Sequence, residues 1–91
     1  MSVQFEFLGP LKQLVNGTET VQAEGDDLRA ALVSLGEQYP GLIDRLLGEN
    51  DVLHSHINIY INEEDIRLKE SLATAISPDD RITVISAIAG G

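Results

Sequence analysis

Residues 57–62 read "INIYIN", and how that alternation is read decides the fold. In an extended chain Ile57, Ile59 and Ile61 point one way and Asn58, Tyr60 and Asn62 the other, whereas a helix would scatter the isoleucines around its circumference. Period two here means a strand with one buried face. The pattern recurs near the start, where "VQFEFL" (3–8) puts Val3, Phe5 and Phe7 on one side and Gln4 and Glu6 on the other. Near the end "RITVISAI" (81–88), rich in β-branched residues, reads as the last strand. Strands of this kind need a covering layer on one side only.

The covering layer is visible in the middle of the chain. Asp26 or Asp27 can cap a helix, since a short carboxylate accepts from free backbone N–H groups and suits the helix dipole. Leu28, Ala31, Leu32 and Leu35 then recur at helical spacing on one face. Gly36 weakens the last turn, by up to about 1 kcal/mol relative to alanine, and Pro40 biases Tyr39 out of the helical region, so the helix should end near Tyr39. A short helical turn, "GLIDRLLG", should follow and close at Gly48. Gly9, Pro10, Asn16 and Gly17 punctuate "GPLKQLVNG" as a loop before a weaker strand near Thr18 to Ala23, which makes a hairpin with the first. "EED" (63–65) reads as a turn, Ile66 to Leu68 as a short returning segment, and "SPDD" (77–80) as a turn with Pro78 presetting φ. The order is strand, strand, helix, then two or three strands. That suits an α+β fold with one mixed sheet packed on one main helix, the first and last strands pairing in parallel at its centre.

Composition narrows the function. The 91 residues are 43% apolar, enough for one domain with a single core, and there is no internal repeat or linker. The expected boundaries are a folded domain over 1–87 and a C-terminal tail over 88–91. No apolar run approaches the roughly 20 residues needed to span a bilayer, and "MSVQFEF" lacks the basic start and apolar stretch of a signal peptide. The expectation is a cytoplasmic protein with no membrane partner. Fifteen acidic against six basic residues give a formal charge of −9, which repels phosphate backbones, so no nucleic-acid partner is expected and a basic protein surface is the better candidate. The same charge also serves plain solubility. With no cysteine, disulfides, thiolate nucleophiles and zinc-thiolate sites are all removed.

Catalytic motifs are missing from the interior. GxxxxGK[ST], GxGxxG and HExxH do not occur. His54 and His56 would share a face if both lay in a strand, but without a spaced third ligand they read as surface residues, and no metal is expected. Glu63, Glu64 and Asp65 fall in a turn beside no apolar pocket that would shift a pKa, so a solvated turn is the simpler reading. No cofactor is expected on the chain itself. What remains is the terminus, "SAIAGG" (86–91). Glycine averages about 7% of residues, so a chance pair at the end occurs about 0.5% of the time, and a frayed end could carry it harmlessly. The alternative is chemical. A terminal carboxylate is a poor electrophile, but once adenylated it becomes an acyl donor, and glycine has no Cβ to obstruct a catalyst closing on the backbone. Adenylation needs an ATP site that this chain lacks, so a separate enzyme must supply it. If Gly90 and Gly91 leave the sheet edge, the stretch from Ala87 could reach about 17 Å into a partner's cleft.

The whole length resembles the ubiquitin-like β-grasp sulfur-carrier family that includes MoaD, ThiS and CysO, most closely over residues 53–91. "NIYINEEDIR", "LATAI" and "AIAGG" are most similar to CysO-type carriers. The resemblance implies that Gly91 is adenylated by an ATP-dependent activating enzyme of the ubiquitin-activating type. Gly91 then becomes a thiocarboxylate that donates sulfur, with Gly90 as its required neighbour. It implies a carrier, not an enzyme. A CysO-type role would deliver sulfide to an activated serine derivative on a pyridoxal-phosphate cysteine synthase, for cysteine biosynthesis, after which a protease frees the carrier. The alternative is a MoaD-type role as small subunit of molybdopterin synthase, in molybdenum cofactor biosynthesis, with the tail inserted into the large subunit. A different class of function, a protein modifier, would join Gly91 to a lysine amine by an isopeptide bond. One departure stands out: many relatives have proline shortly before "AGG", where this chain has Ser86, so the tail is expected to leave at a different angle or with less stiffness.

Overall fold

The computed structural model describes residues 2–86. Ser2–Phe7 is β1, with Val3, Phe5 and Phe7 buried and the rings of Phe5 and Phe7 stacked at 6.2 Å. Residues Gly9–Val15, read from sequence as a loop, form a 3-10 segment instead. Pro10 sits where its missing N–H costs nothing, and Leu11 and Val15, four apart, are both buried. The turn residues around them hid that helical spacing. Asn16 ends the segment at φ 58, and its N–H donates to the Gln13 carbonyl at 3.2 Å.

The second strand, β2 (Thr20–Glu24), starts later than expected because Thr18 still belongs to the turn, its N–H donating to the Val15 carbonyl at 3.1 Å. It runs antiparallel to β1 with Gln4 opposite Gln22. Helix α1 is Leu28–Gln38, and of the two candidate caps Asp27 takes the role, accepting from the Ala30 N–H at 2.8 Å. Leu28, Ala31, Leu32 and Leu35 are buried, and the helix stops at Tyr39. Gly41, at φ 91, turns the chain into α2 (Leu42–Leu46), which ends short of Gly48 with Leu47 as its C-cap.

The decisive stretch is β3 (Ile57–Ile61), with all three isoleucines buried and Asn58 and Tyr60 half-exposed. Here the sequence reading needs correction. Asn62 leaves the strand: Asn62 and Glu63 form the turn at φ 51 and 75, and Glu64–Asp65 is the returning strand β4. Ile66–Leu68, expected to return, is a 3-10 turn capped by Asp65. A two-residue hairpin loop with both φ positive matches the twist of the strands, which favours the tighter turn. The last strand, β5, is Arg81–Ser86, entered through the expected turn in which the Asp80 N–H donates to the Ser77 carbonyl at 2.9 Å. Ala87 and Ile88, the rest of the expected strand, lie outside the described residues, as does the expected tail.

The strands make one five-stranded mixed sheet in the order β2-β1-β5-β3-β4, with β5 parallel to β1 and antiparallel to β3. The first and last strands do pair in parallel at the centre. A single cluster joins the buried face of the sheet to α1 and α2, and each fully buried Phe, Leu or Ile contributes roughly 1.5–3 kcal/mol. Among the described residues no helix is long and apolar enough to cross a membrane.

Candidate functional site

Gly90 and Gly91, the residues singled out from sequence, lie outside the described residues. What the structure does describe is their root. Ser86 is the Cα partner of Ile57 at the start of β3. On the other side the Leu8 N–H donates to the Val84 carbonyl at 3.0 Å, carrying the β1 pairing one residue past the strand. Strand β5 is therefore flanked by β1 as far as Val84 and by β3 as far as Ser86, and its inward residues Ile82 and Val84 are fully buried. A chain leaving Ser86 starts from a strand at the centre of the sheet, the kind of rigid support that holds a functional group in place.

The solvent face around this root alternates with the buried one. Register sets Glu6 and Tyr60 on either side of Thr83, and Asn58 beside Ile85. Leu8, 42% exposed, follows β1 on the same side, so Leu8, Ile85 and Tyr60 give the face an apolar component. Toward the other end a depression of about 490 Å³ is lined by Glu6, Asn62, Glu63, Asp79, Arg81 and Thr83. The face thus combines an apolar region near the root with carboxylates at its far end. Such a surface suits docking to a protein with a complementary, basic rim.

The remaining candidates find structural work. His54 and His56 lie in the loop before β3, not in it, with rings stacked 5.6 Å apart. His54 Nε2 is 3.2 Å from the Asp44 carbonyl oxygen. Among the described residues no group of three or more His, Cys, Asp or Glu could hold a metal ion. Glu64 pairs with Lys69 at 3.4 Å, and Asp65 accepts from the Arg67 N–H at 2.8 Å. Exposed pairs of this sort are worth about 0–1 kcal/mol.

Sequence reasoning missed two residues. Asn62 uses both ends of its amide, donating from Nδ2 to Asp80 at 2.8 Å and accepting from the Arg81 N–H at 3.0 Å, so it ties the β3-β4 turn to the entry of β5. Asparagine tolerates positive φ, and that was the available signal. Arg67 donates from Nη2 to the Ile57 carbonyl at 2.7 Å and from Nη1 to Asn58 Oδ1 at 2.8 Å. No sequence signal announces it, because topology alone brings its acceptors near.

The profile of the ThiS family matches residues 5–91. The chain belongs to the ThiS family. The sulfur carrier protein CysO of Mycobacterium tuberculosis (strain ATCC 25618 / H37Rv) is 40% identical over 83 residues, covering 89% of each chain. The crystal structure of the Amycolatopsis orientalis BexX/CysO complex superposes with a TM-score of 0.89 at 29% identity, over 98% of this chain and 99% of that one. Small archaeal modifier protein 3 of Haloferax volcanii is 27% identical over 93 positions spanning 100% of both chains. The family places the mixed sheet and its helix in the ubiquitin-like β-grasp class, as the resemblance implied, and makes the chain a relative of sulfur carriers of the CysO type.

Proposed function

We propose that this protein is a CysO-type sulfur carrier whose Gly91 carboxylate is adenylated and converted to a thiocarboxylate. The observation that carries the reading is the 40% identity to CysO over 89% of the chain, together with a family match that runs through to residue 91. In the first step a Gly91 carboxylate oxygen attacks the α-phosphorus of ATP, pyrophosphate leaves, and an acyl-adenylate forms. In the second a sulfide-level sulfur attacks the acyl carbon, AMP leaves, and a C–S bond replaces the C–O bond. Both steps belong to an activating enzyme; this chain contributes the acyl group, a glycine pair without Cβ atoms and the docking face around β5. Residues 1–87 serve as the body that is recognised and 88–91 as the tail that enters the partner.

The sulfur is destined for cysteine biosynthesis, through a cysteine synthase that accepts it from the thiocarboxylate, in the cytoplasm. Intact-mass spectrometry tests the charging step. Incubation with a ubiquitin-activating-type enzyme, ATP and sulfide should replace one oxygen by sulfur, and a mass that never changes would sink the reading. A second reading, a protein modifier joined to lysine amines, is favoured by the full-length match to small archaeal modifier protein 3. Immunoblots of lysate separate the two, since a modifier gives a ladder of conjugates and a carrier a single small band.

A further inference from the structure

We propose that Arg67 is a positioning residue for the tail, a clamp that fixes the Ser86 end of β5, to which residues 87–91 are joined. The inference rests on the carrier reading. Strand β4 pairs with β3 only at Tyr60 and Ile61, so among the described residues no strand covers the β4-side edge of β3 at its first residue. That residue, Ile57, is the one opposite Ser86. The Arg67 guanidinium takes the place of the missing strand, bonding the Ile57 carbonyl at 2.7 Å and Asn58 Oδ1 at 2.8 Å. Asn58 in turn lies beside Ile85. A forked, planar donor holding two acceptors at once sets orientation as well as distance, which a lysine cannot do.

The clamp is itself braced. Asp65 accepts from the Arg67 backbone N–H at 2.8 Å and sits 3.7 Å from Nη1, so one carboxylate caps the 3-10 turn and draws the guanidinium inward. Leverage makes the placement matter. A five-residue extension can span at most about 17 Å, so a swing of about 10° at Ser86 would move its far end by up to about 3 Å. An activating enzyme must hold the body and the tip together. A root that wanders lowers the share of encounters in which both fit, and that loss falls on KM more than on kcat.

The test compares wild type, Arg67→Ala, Arg67→Lys and the control Lys69→Ala, which loses only the surface pair with Glu64 at the end of the same 3-10 turn. Two readouts are needed. In amide hydrogen exchange, Arg67→Ala should speed exchange at residues 57, 58, 85 and 86 and leave the Ile61 and Ile82 end unchanged. In ATP-dependent thiocarboxylation well below the melting temperature, its KM should rise about tenfold, the scale of one lost charge-assisted hydrogen bond, with kcat within about twofold. Arg67→Lys should fall between, and Lys69→Ala should match wild type. Unchanged exchange at the Ile57/Ser86 end, or a normal KM in Arg67→Ala, overturns the clamp while wild-type charging keeps the carrier reading. If wild type is never charged, that reading fails, and exchange alone decides whether Arg67 orders the root.

Discussion

Gly36 sits inside α1, where alanine is ordinarily the better helix former by about 1 kcal/mol. The packing predicts the opposite outcome here. A Cβ built on Gly36 would lie 2.7 Å from Ile43 Cγ1 and 3.5 Å from Cδ1. Carbon atoms pack best at about 3.5–4.0 Å, so the first approach is short by about 1 Å. Ile43 has little room to give, because a β-branched side chain resists rotation about χ1 and its helix α2 is pinned by Leu42 and Leu46, both buried. Overpacking of this kind costs about 1–3 kcal/mol, which offsets or exceeds the propensity gain and leaves Gly36→Ala less stable by up to about 2 kcal/mol. A double-mutant cycle with Ile43→Ala, which removes the clashing atom, isolates this contact. In that background Gly36→Ala should stabilise by about 0.5–1 kcal/mol, giving a coupling near 2 kcal/mol. Since the chain has no tryptophan, urea melts followed by far-UV circular dichroism are the assay, with m-values required to agree among the four proteins. A Gly36→Ala protein that gains stability equally in both backgrounds would show that α2 does not press on this helix.

Three further outcomes are expected. Ile59→Ala, at the fully buried centre of β3, should cost about 2–5 kcal/mol in the same melts, and a loss below about 1 kcal/mol would mean the face was misassigned. Gly91 deletion or Gly90→Val should abolish ATP-dependent thiocarboxylation while melting stays within about 0.5 kcal/mol of wild type; a Gly90→Val protein charged at the normal rate would reduce the pair to a flexible end. Association with the activating enzyme should slow as salt rises, because acidic residues on the docking face supply attraction screened over about 10 Å at 0.1 M; a rate indifferent to salt would leave the −9 charge as a solubility device.

The strands that carry the site were legible because their code is local. One glance at Ile57, Ile59 and Ile61 gives both secondary structure and facing, and the same holds for Val3, Phe5 and Phe7. Helix α1 was legible for a similar reason, from its Asp27 cap and the spacing of Leu28, Ala31, Leu32 and Leu35. Misreadings arose where turn residues outvoted a short apolar period. Leu11 and Val15 are a helical pair embedded between Gly9, Pro10 and Asn16, and Asn62 continues the alternation of β3 into a turn that its backbone, not its polarity, defines. Arg67 was invisible for a different reason. Its acceptors on Ile57 and Asn58 are ten and nine residues away, on a strand it meets only because the hairpin folds back and the 3-10 turn follows. Contacts created by topology have no local signature.

On the carrier reading the glycine pair and the sheet answer opposite demands, and β5 is the strand that precedes the pair in sequence. A tip that must pass through a catalyst's cleft gains from having no side chains, while the body that presents it gains from rigidity. Among the strands, β5 is the middle one of the sheet, paired on both edges, with Ile82 and Val84 fully buried. A slip of one residue in its register would turn both side chains to solvent and put Arg81, Thr83 and Ile85 into the core, so the burial that stabilises the domain also fixes where Ser86 lies. An edge strand such as β2, with partners on one side only, offers no such lock. The root is therefore held from within the body, by the register of β5 and by Arg67 at the Ile57/Ser86 pair, rather than by the tail, which is why changes at Gly90 and Gly91 should leave stability alone. It also follows that a core change such as Ile59→Ala, directly opposite Val84, should lower the melting temperature without altering charging kinetics at temperatures where the variant remains folded. A charging defect in fully folded Ile59→Ala would show that the root is held more loosely than the register implies.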